Sequence, residues 1–186
     1  MLKANIISSE NYVGDDLDKL NRSLLLLENA INGDKFKTAV LNFVSFQFVR
    51  YRCLLRVKIE TIQDQEYSND EIYNFLMKGH RQEGDDGFMD LQLALSENDG
   101  GSAVGATDGY DLTTTYRGAF NRMSEGELAA RLTHEWVHTL GFKHSFSNMC
   151  DPTRDCLSVP YAIGNIVEIL LTGNCWYDCK YESLNY

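Results

Sequence analysis

His134 and His138 stand four residues apart in the run His134-Glu135-Trp136-Val137-His138-Thr139-Leu140-Gly141-Phe142-Lys143-His144. No other feature of the chain constrains its fold as strongly. On a helix that spacing projects both imidazoles from one face, a turn apart, within reach of a single ion. Glu135 points to one side of the pair, where a carboxylate accepts a proton from water without itself being a ligand. Gly141 falls where a left-handed residue ends a helix, and the reversed chain can then return His144 to the same ion. Upstream, Ser124-Glu125-Gly126-Glu127 fits a capping box, so the helix should start at about 125. Leu128, Leu132, Trp136 and Leu140 then form an apolar stripe in steps of four, which leaves another face for the histidines.

Three neutral histidines with a fourth position open to water are the catalytic rather than the structural arrangement of zinc. The pattern His134-Glu135-x-x-His138-x-x-Gly141-x-x-His144 resembles the zinc signature of the metzincin metallopeptidases. The competing reading, a surface helix that happens to carry histidines, must account for three of the chain's four histidines falling inside the motif.

The resemblance implies an α+β, two-lobed catalytic domain. A twisted, mostly parallel sheet with an antiparallel edge strand and the active-site helix would form residues 1–141, and a small helical and loop lobe residues 142–186. It also implies one catalytic zinc held by His134, His138 and His144. Glu135 would act as general base and then general acid in hydrolysing a peptide bond. Two alternatives stand beside a zinc endopeptidase. One is a zinc amidohydrolase of narrow range, acting on a cell-wall peptide or one host protein; the other is a non-catalytic binding module on the same fold.

The sequence departs from the family after His144. The methionine expected in a tight turn beneath the metal is either Met149 or is replaced by Pro160 in Ser158-Val159-Pro160-Tyr161. Pro160 also suits the first turn of a helix over Tyr161–Leu171. Tyr161 stands where some family members use a tyrosine to ligate zinc or stabilise an oxyanion; packing within the lower lobe is the other reading.

The remaining chain supports one domain with a real core: 186 residues, 44% of them hydrophobic. A net charge of −10 argues against a nucleic-acid phosphate backbone as partner and suits a neutral or cationic peptide or protein substrate, bound by a monomer, or else simply an acidic surface that keeps a secreted protein soluble. No run is long enough to span a membrane, and Met1 to Ser8 lacks the basic leader and apolar segment of a signal peptide. Cys150, Cys156, Cys175 and Cys179 read as two disulfides of undetermined pairing, which favours a secreted or periplasmic location, or else as a four-thiolate structural zinc site. Cys53 reads as a buried thiol, and His80 as a solvated loop side chain.

Residues 2–8 resemble a first strand, and Asp15–Asn32 a helix with apolar residues at three and four and a stop at Asn32-Gly33. Thr38–Glu60 is β-rich, with a break near Arg50-Tyr51-Arg52. Ser68-Asn69-Asp70 caps a helix, Glu71–Lys78, that ends at Gly79. A loop over His80–Gly87 leads to a half-buried strand, Phe88–Leu95. Ser102–Thr107 and Tyr110–Asn121, separated by Asp108-Gly109, make a hairpin signal. By element order, the metzincin resemblance makes Ser102–Thr107 the candidate for the rim along which an extended substrate pairs; an ordinary hairpin arm is the other reading.

Overall fold

The computed structural model describes residues 1–43, 50–51, 65–79, 87–98, 105–107, 112–142 and 158–174. His80, Cys53, the apolar run Leu54–Ile59, Ser102–Val104, His144, Met149 and the cysteines at 150, 156, 175 and 179 lie outside them. The described residues form an α+β structure with a four-stranded, mostly parallel sheet and six helices.

β1 (Lys3–Glu10) alternates exposed and half-buried residues, as a strand with one covered face must. Ile7 is the extra residue where the register slips between Ile6 and Ser8, and it is exposed. After Gly14 the chain enters α1 (Asp15–Ile31), whose Leu20, Leu24, Leu27 and Ile31 are buried. Asn32, the expected stop, does more than end the helix. Its side-chain oxygen accepts from the Leu2 N–H (2.8 Å) and its amide nitrogen donates to the Leu2 carbonyl (2.7 Å), while Glu28 accepts from the Ala4 N–H (2.7 Å). These bonds satisfy backbone groups on the edge of β1 that β4 does not occupy, the edge at which a sheet is open to mispairing.

α2 (Asp34–Leu41) corrects the expected β-rich run from Thr38: Thr38 to Leu41 are helical. Phe36, Ala39 and Val40 are buried on one side, a three-and-four spacing that the β-branched content of the stretch conceals. The two-residue strands β2 (Arg50–Tyr51) and β3 (Gln65–Glu66) pair antiparallel, so extended backbone occurs at Arg50-Tyr51, where the pattern breaks. α3 (Asn69–Lys78) starts on Ser68 with a complete capping box and ends at Gly79 in the left-handed conformation, as its sequence implies.

β4 (Phe88–Ser96) lies between β1 and β6, parallel to both. Met89, Leu91, Leu93 and Leu95 are all buried on one face, which makes this strand the floor of the core. β5 (Gly105–Thr107) and β6 (Leu112–Tyr116) form the expected hairpin, with Gly105 opposite Thr115 and Thr107 opposite Thr113. β5 is the antiparallel edge. The run read as extended to Asn121 stops sooner, because Arg117–Arg122 is a short helix, α4. Tertiary contacts explain the difference: Arg117 bonds Asp16 (2.6 Å) and Glu97 (2.7 Å), and the Lys19 ammonium donates to the carbonyls of Phe120 (2.6 Å) and Met123 (2.5 Å).

α5 (Glu125–Thr139) begins at the expected residue. Ser124 and Glu127 complete the capping box, the Ser124 N–H donating to the Glu127 carboxylate at 2.6 Å. α6 (Val159–Thr172) starts before Tyr161, with Pro160 in its first turn. The two helices run antiparallel at close range. A Cβ on Gly126 would lie 2.9 Å from the Thr172 methyl, and one on Gly164 would lie 3.1 Å from the Cβ of His134. Glycine at both points lets α6 lie directly against the residue before Glu135.

Two outcomes are expected. Gly164→Leu should lower unfolding free energy by about 1–3 kcal/mol in denaturant titrations, as overpacked cores do; an unchanged midpoint would show that the helices do not meet there. The Glu127 carboxyl is held below its ordinary value by the Ser124 N–H and hydroxyl. Its contribution to stability is therefore full above the ordinary carboxylate range and lost as pH falls through the lower folded value. Glu127→Gln should flatten that acid limb of the stability curve.

Candidate active site

The C-terminal half of α5 carries the site. Leu128, Leu132 and Trp136 are fully buried and fix the helix rotation, while His134, Glu135 and His138 face a common point. One ligand atom from each of the three lies within 4.8 Å of the other two. His134 (5% exposed) and Glu135 (3% exposed) are buried and His138 is half-buried, so the cluster differs from an exposed acidic group that happens to neighbour a histidine.

α5 closes as the motif requires. Leu140 is the last right-handed residue, and Gly141 has φ +98°, with its N–H donating to the His138 carbonyl at 2.9 Å. The chain reverses, and Phe142 is driven into the core against Tyr67 and Phe75. This places the Phe142 carbonyl 2.8 Å from Nδ1 of His138. A carbonyl only accepts, so Nδ1 carries the hydrogen and Nε2 keeps its lone pair. That tautomer fits an ion: in the neutral ring the hydrogen sits on the inner nitrogen, which is anchored, and the outer one carries the lone pair, as in metal-ligating histidines. Two imidazoles with a nearby carboxylate are a donor set suited to zinc and similar transition ions. The third expected ligand, His144, is among the residues outside the description.

His134 is oriented differently, through packing. Its ring lies 5.0 Å from that of His138, and Tyr161 on α6 stands edge-on to it at 4.6 Å between centroids. Tyr161 is thus brought beside the cluster. Behind His134 lies a cavity of about 10 Å³, room for roughly one water, between α5 and α6. Arg131, Tyr161, Asn165 and Glu168 contribute polar groups to its lining. Asn165 and Glu168 are both 4% exposed. Two buried polar residues three apart in an otherwise apolar helix are the signal by which sequence inspection could have found them.

Glu135 is held from two sides. One carboxylate oxygen is paired with the Arg131 guanidinium one turn back on α5, and the other accepts from the Thr107 hydroxyl on β5 at 2.7 Å. Arg131 and Thr107 were not among the expected site residues, although an arginine four positions before a glutamate on a helix is a pairing signal. Thr107 could be reached only through the fold, since 28 residues separate it from Glu135.

The chain matches no protein-family model, no curated protein and no solved structure.

The His138 tautomer is open to direct measurement. In nitrogen-detected NMR of the metal-free protein above the titration range of imidazole, His138 is expected to show a protonated Nδ1 and a bare Nε2. The opposite tautomer would disprove the hydrogen bond to Phe142.

Proposed function

We propose that the chain is a zinc-dependent peptidase of the type its motif resembles, with His134, His138 and His144 holding one ion and Glu135 moving the proton. The observation that carries this reading is the convergence of His134, Glu135 and His138 within 4.8 Å of one another on one face of α5, together with the hydrogen bond that puts the hydrogen of the neutral His138 ring on Nδ1. When bound, zinc supplies a Lewis acid that acidifies water and polarises a carbonyl.

The chain's own residues supply the rest. Glu135 accepts a proton from the attacking water on a carboxylate oxygen and delivers it to the leaving amine, one group serving as base and then acid. Tyr161, edge-on to His134, restricts that imidazole, and its phenol is the candidate donor to charge developing on the substrate oxygen. β5 is an antiparallel edge strand, and α5 lies behind it. An extended peptide pairing with β5 by backbone hydrogen bonds would therefore pass beside Glu135.

A second reading has one observation in its favour. Both Glu135 oxygens already have partners, as in a purely structural ion pair, so the site could bind an ion without turning substrate over. Each carboxylate oxygen accepts more than one hydrogen bond, and the catalytic reading needs only one remaining direction.

Elemental analysis and a mixed-sequence peptide library separate the readings. The wild type is expected to hold one zinc per chain and to cleave peptides. His134→Ala and His138→Ala should lose the metal. Glu135→Gln should keep it while turnover falls about 10²–10⁴-fold, the usual contribution of a positioned general base. Folded wild type that takes up no zinc would overturn both readings, and bound zinc with no cleavage would favour the second.

A further inference from the structure

Resting on that reading, the geometry points to Arg131 and Thr107 as positioning residues that lock the Glu135 carboxylate to the edge strand β5, so that the proton carrier and the substrate-pairing strand move as one body. Four contacts build the lock. The Arg131 Nη2 donates both to the Glu135 carboxylate and to the Gly105 carbonyl of β5, the latter at 2.9 Å. The Thr107 hydroxyl, two residues along the same strand, donates to the other Glu135 oxygen at 2.7 Å. The Thr113 hydroxyl on β6 lies 3.1 Å from that of Thr107.

The direction of this last bond follows from counting hydrogens. Thr107 has a single hydroxyl hydrogen, and the carboxylate can only accept, so that hydrogen goes to Glu135 and Thr113 must donate to Thr107. The relay Thr113 to Thr107 to Glu135 thus aims a hydroxyl dipole at the carboxylate from the sheet, while Arg131 faces it from the helix. Thr113 is 2% exposed and Glu135 3%, so the half-buried Thr107 hydroxyl has a buried partner on each side.

The lock has a mechanical consequence. α5 and the sheet edge are separate elements, free in principle to shift by a few tenths of an ångström against each other. A base displaced by about an ångström from its substrate can lose on the order of a hundredfold in rate. Tying Glu135 to Gly105 and Thr107 sets its position by the strand on which the peptide would lie.

Thr107→Val is the cleanest test, since it keeps the β-branched shape and removes only the hydroxyl. With zinc content unchanged and the protein folded at the assay temperature, kcat for the best library peptide should fall about 10- to 100-fold, the worth of a hydrogen bond to a charged group, and KM should stay within about twofold. Thr113→Val should act in the same direction and more weakly. Arg131→Met leaves a buried carboxylate and is at risk of misfolding, so Arg131→Lys, which keeps the charge, is measured beside it and should recover part of kcat. An unchanged kcat in Thr107→Val would overturn the inference, and so would a loss confined to KM.

A second readout does not depend on turnover. In the metal-free protein, a double-mutant cycle on folding stability with Thr107→Val and Glu135→Gln should give a coupling of about tenfold or more in the folding equilibrium constant. A coupling near unity would overturn the inference even in an active enzyme. Failure of the peptidase reading shows itself separately, as wild type that cleaves nothing.

Discussion

The close antiparallel seating of α6 on α5 is the constraint from which the rest follows. Helices commonly pack with axes 8–10 Å apart, held there by the side chains between them. Here glycine on α5 meets Thr172 near one end of the contact, and glycine on α6 meets Ala130 and His134 near the other. The approach is tight enough to press the backbone of His134 against α6 and to shrink the space behind it to the volume of about one water. With the buried leucine and tryptophan stripe fixing rotation about the helix axis, α5 has little freedom left. The direction in which its polar face looks is then decided by packing, before any polar contact is made.

That polar face sits in an unusual place. Arg131, His134, Glu135 and His138 form a continuous patch between the helix pair and the sheet edge, and the two central residues are almost completely removed from solvent. Charges in such a place must be paired, since an isolated carboxylate there would cost far more than a single fold can spare. The pairing is done by Arg131 on the same helix and by a hydroxyl relay from the sheet. The paired groups join two elements that the apolar core alone would leave able to slide, since β5 is only three residues long and meets the sheet on one side.

What could be read from the sequence sorts by the range of the interaction responsible. Signals that act within one turn of chain were legible: the Ser124 and Ser68 capping boxes, the left-handed Gly79 and Gly141, the helix stop at Asn32, and the hairpin across Asp108-Gly109. The same holds for the histidine pair, whose four-residue spacing is itself a statement about one helix face. Where context decides, sequence failed. Thr38–Leu41 has β-branched residues yet is helical, because Phe36, Ala39 and Val40 find the core only on a helix. Arg117–Arg122 is helical because Asp16, Lys19 and Glu97, distant in sequence, bind its two ends. Thr107 and Thr113 were illegible as site residues for the same reason: nothing local distinguishes them from other strand threonines.

The cost of the polar patch bears on what it is for. Replacing a buried ion pair by apolar residues of similar volume often leaves stability unchanged or improves it. A fold asked only to pack α5 against α6 would be served as well by leucine or methionine at 134 and 138, whereas Arg131 and Glu135 also hold β5. The capping box, the core stripe and Gly141 each have a structural reason, and each would be needed by any helix in this position. The histidine cluster has no such reason. His138 is aimed by the Phe142 carbonyl, His134 is held by an aromatic ring, and Glu135 is gripped on both oxygens. Desolvating His134 and Glu135 beside the half-buried His138, and orienting all three, adds little stability. Preorganised polar side chains of this kind are expected at a ligand site, and the proposal of a metallopeptidase builds on that difference.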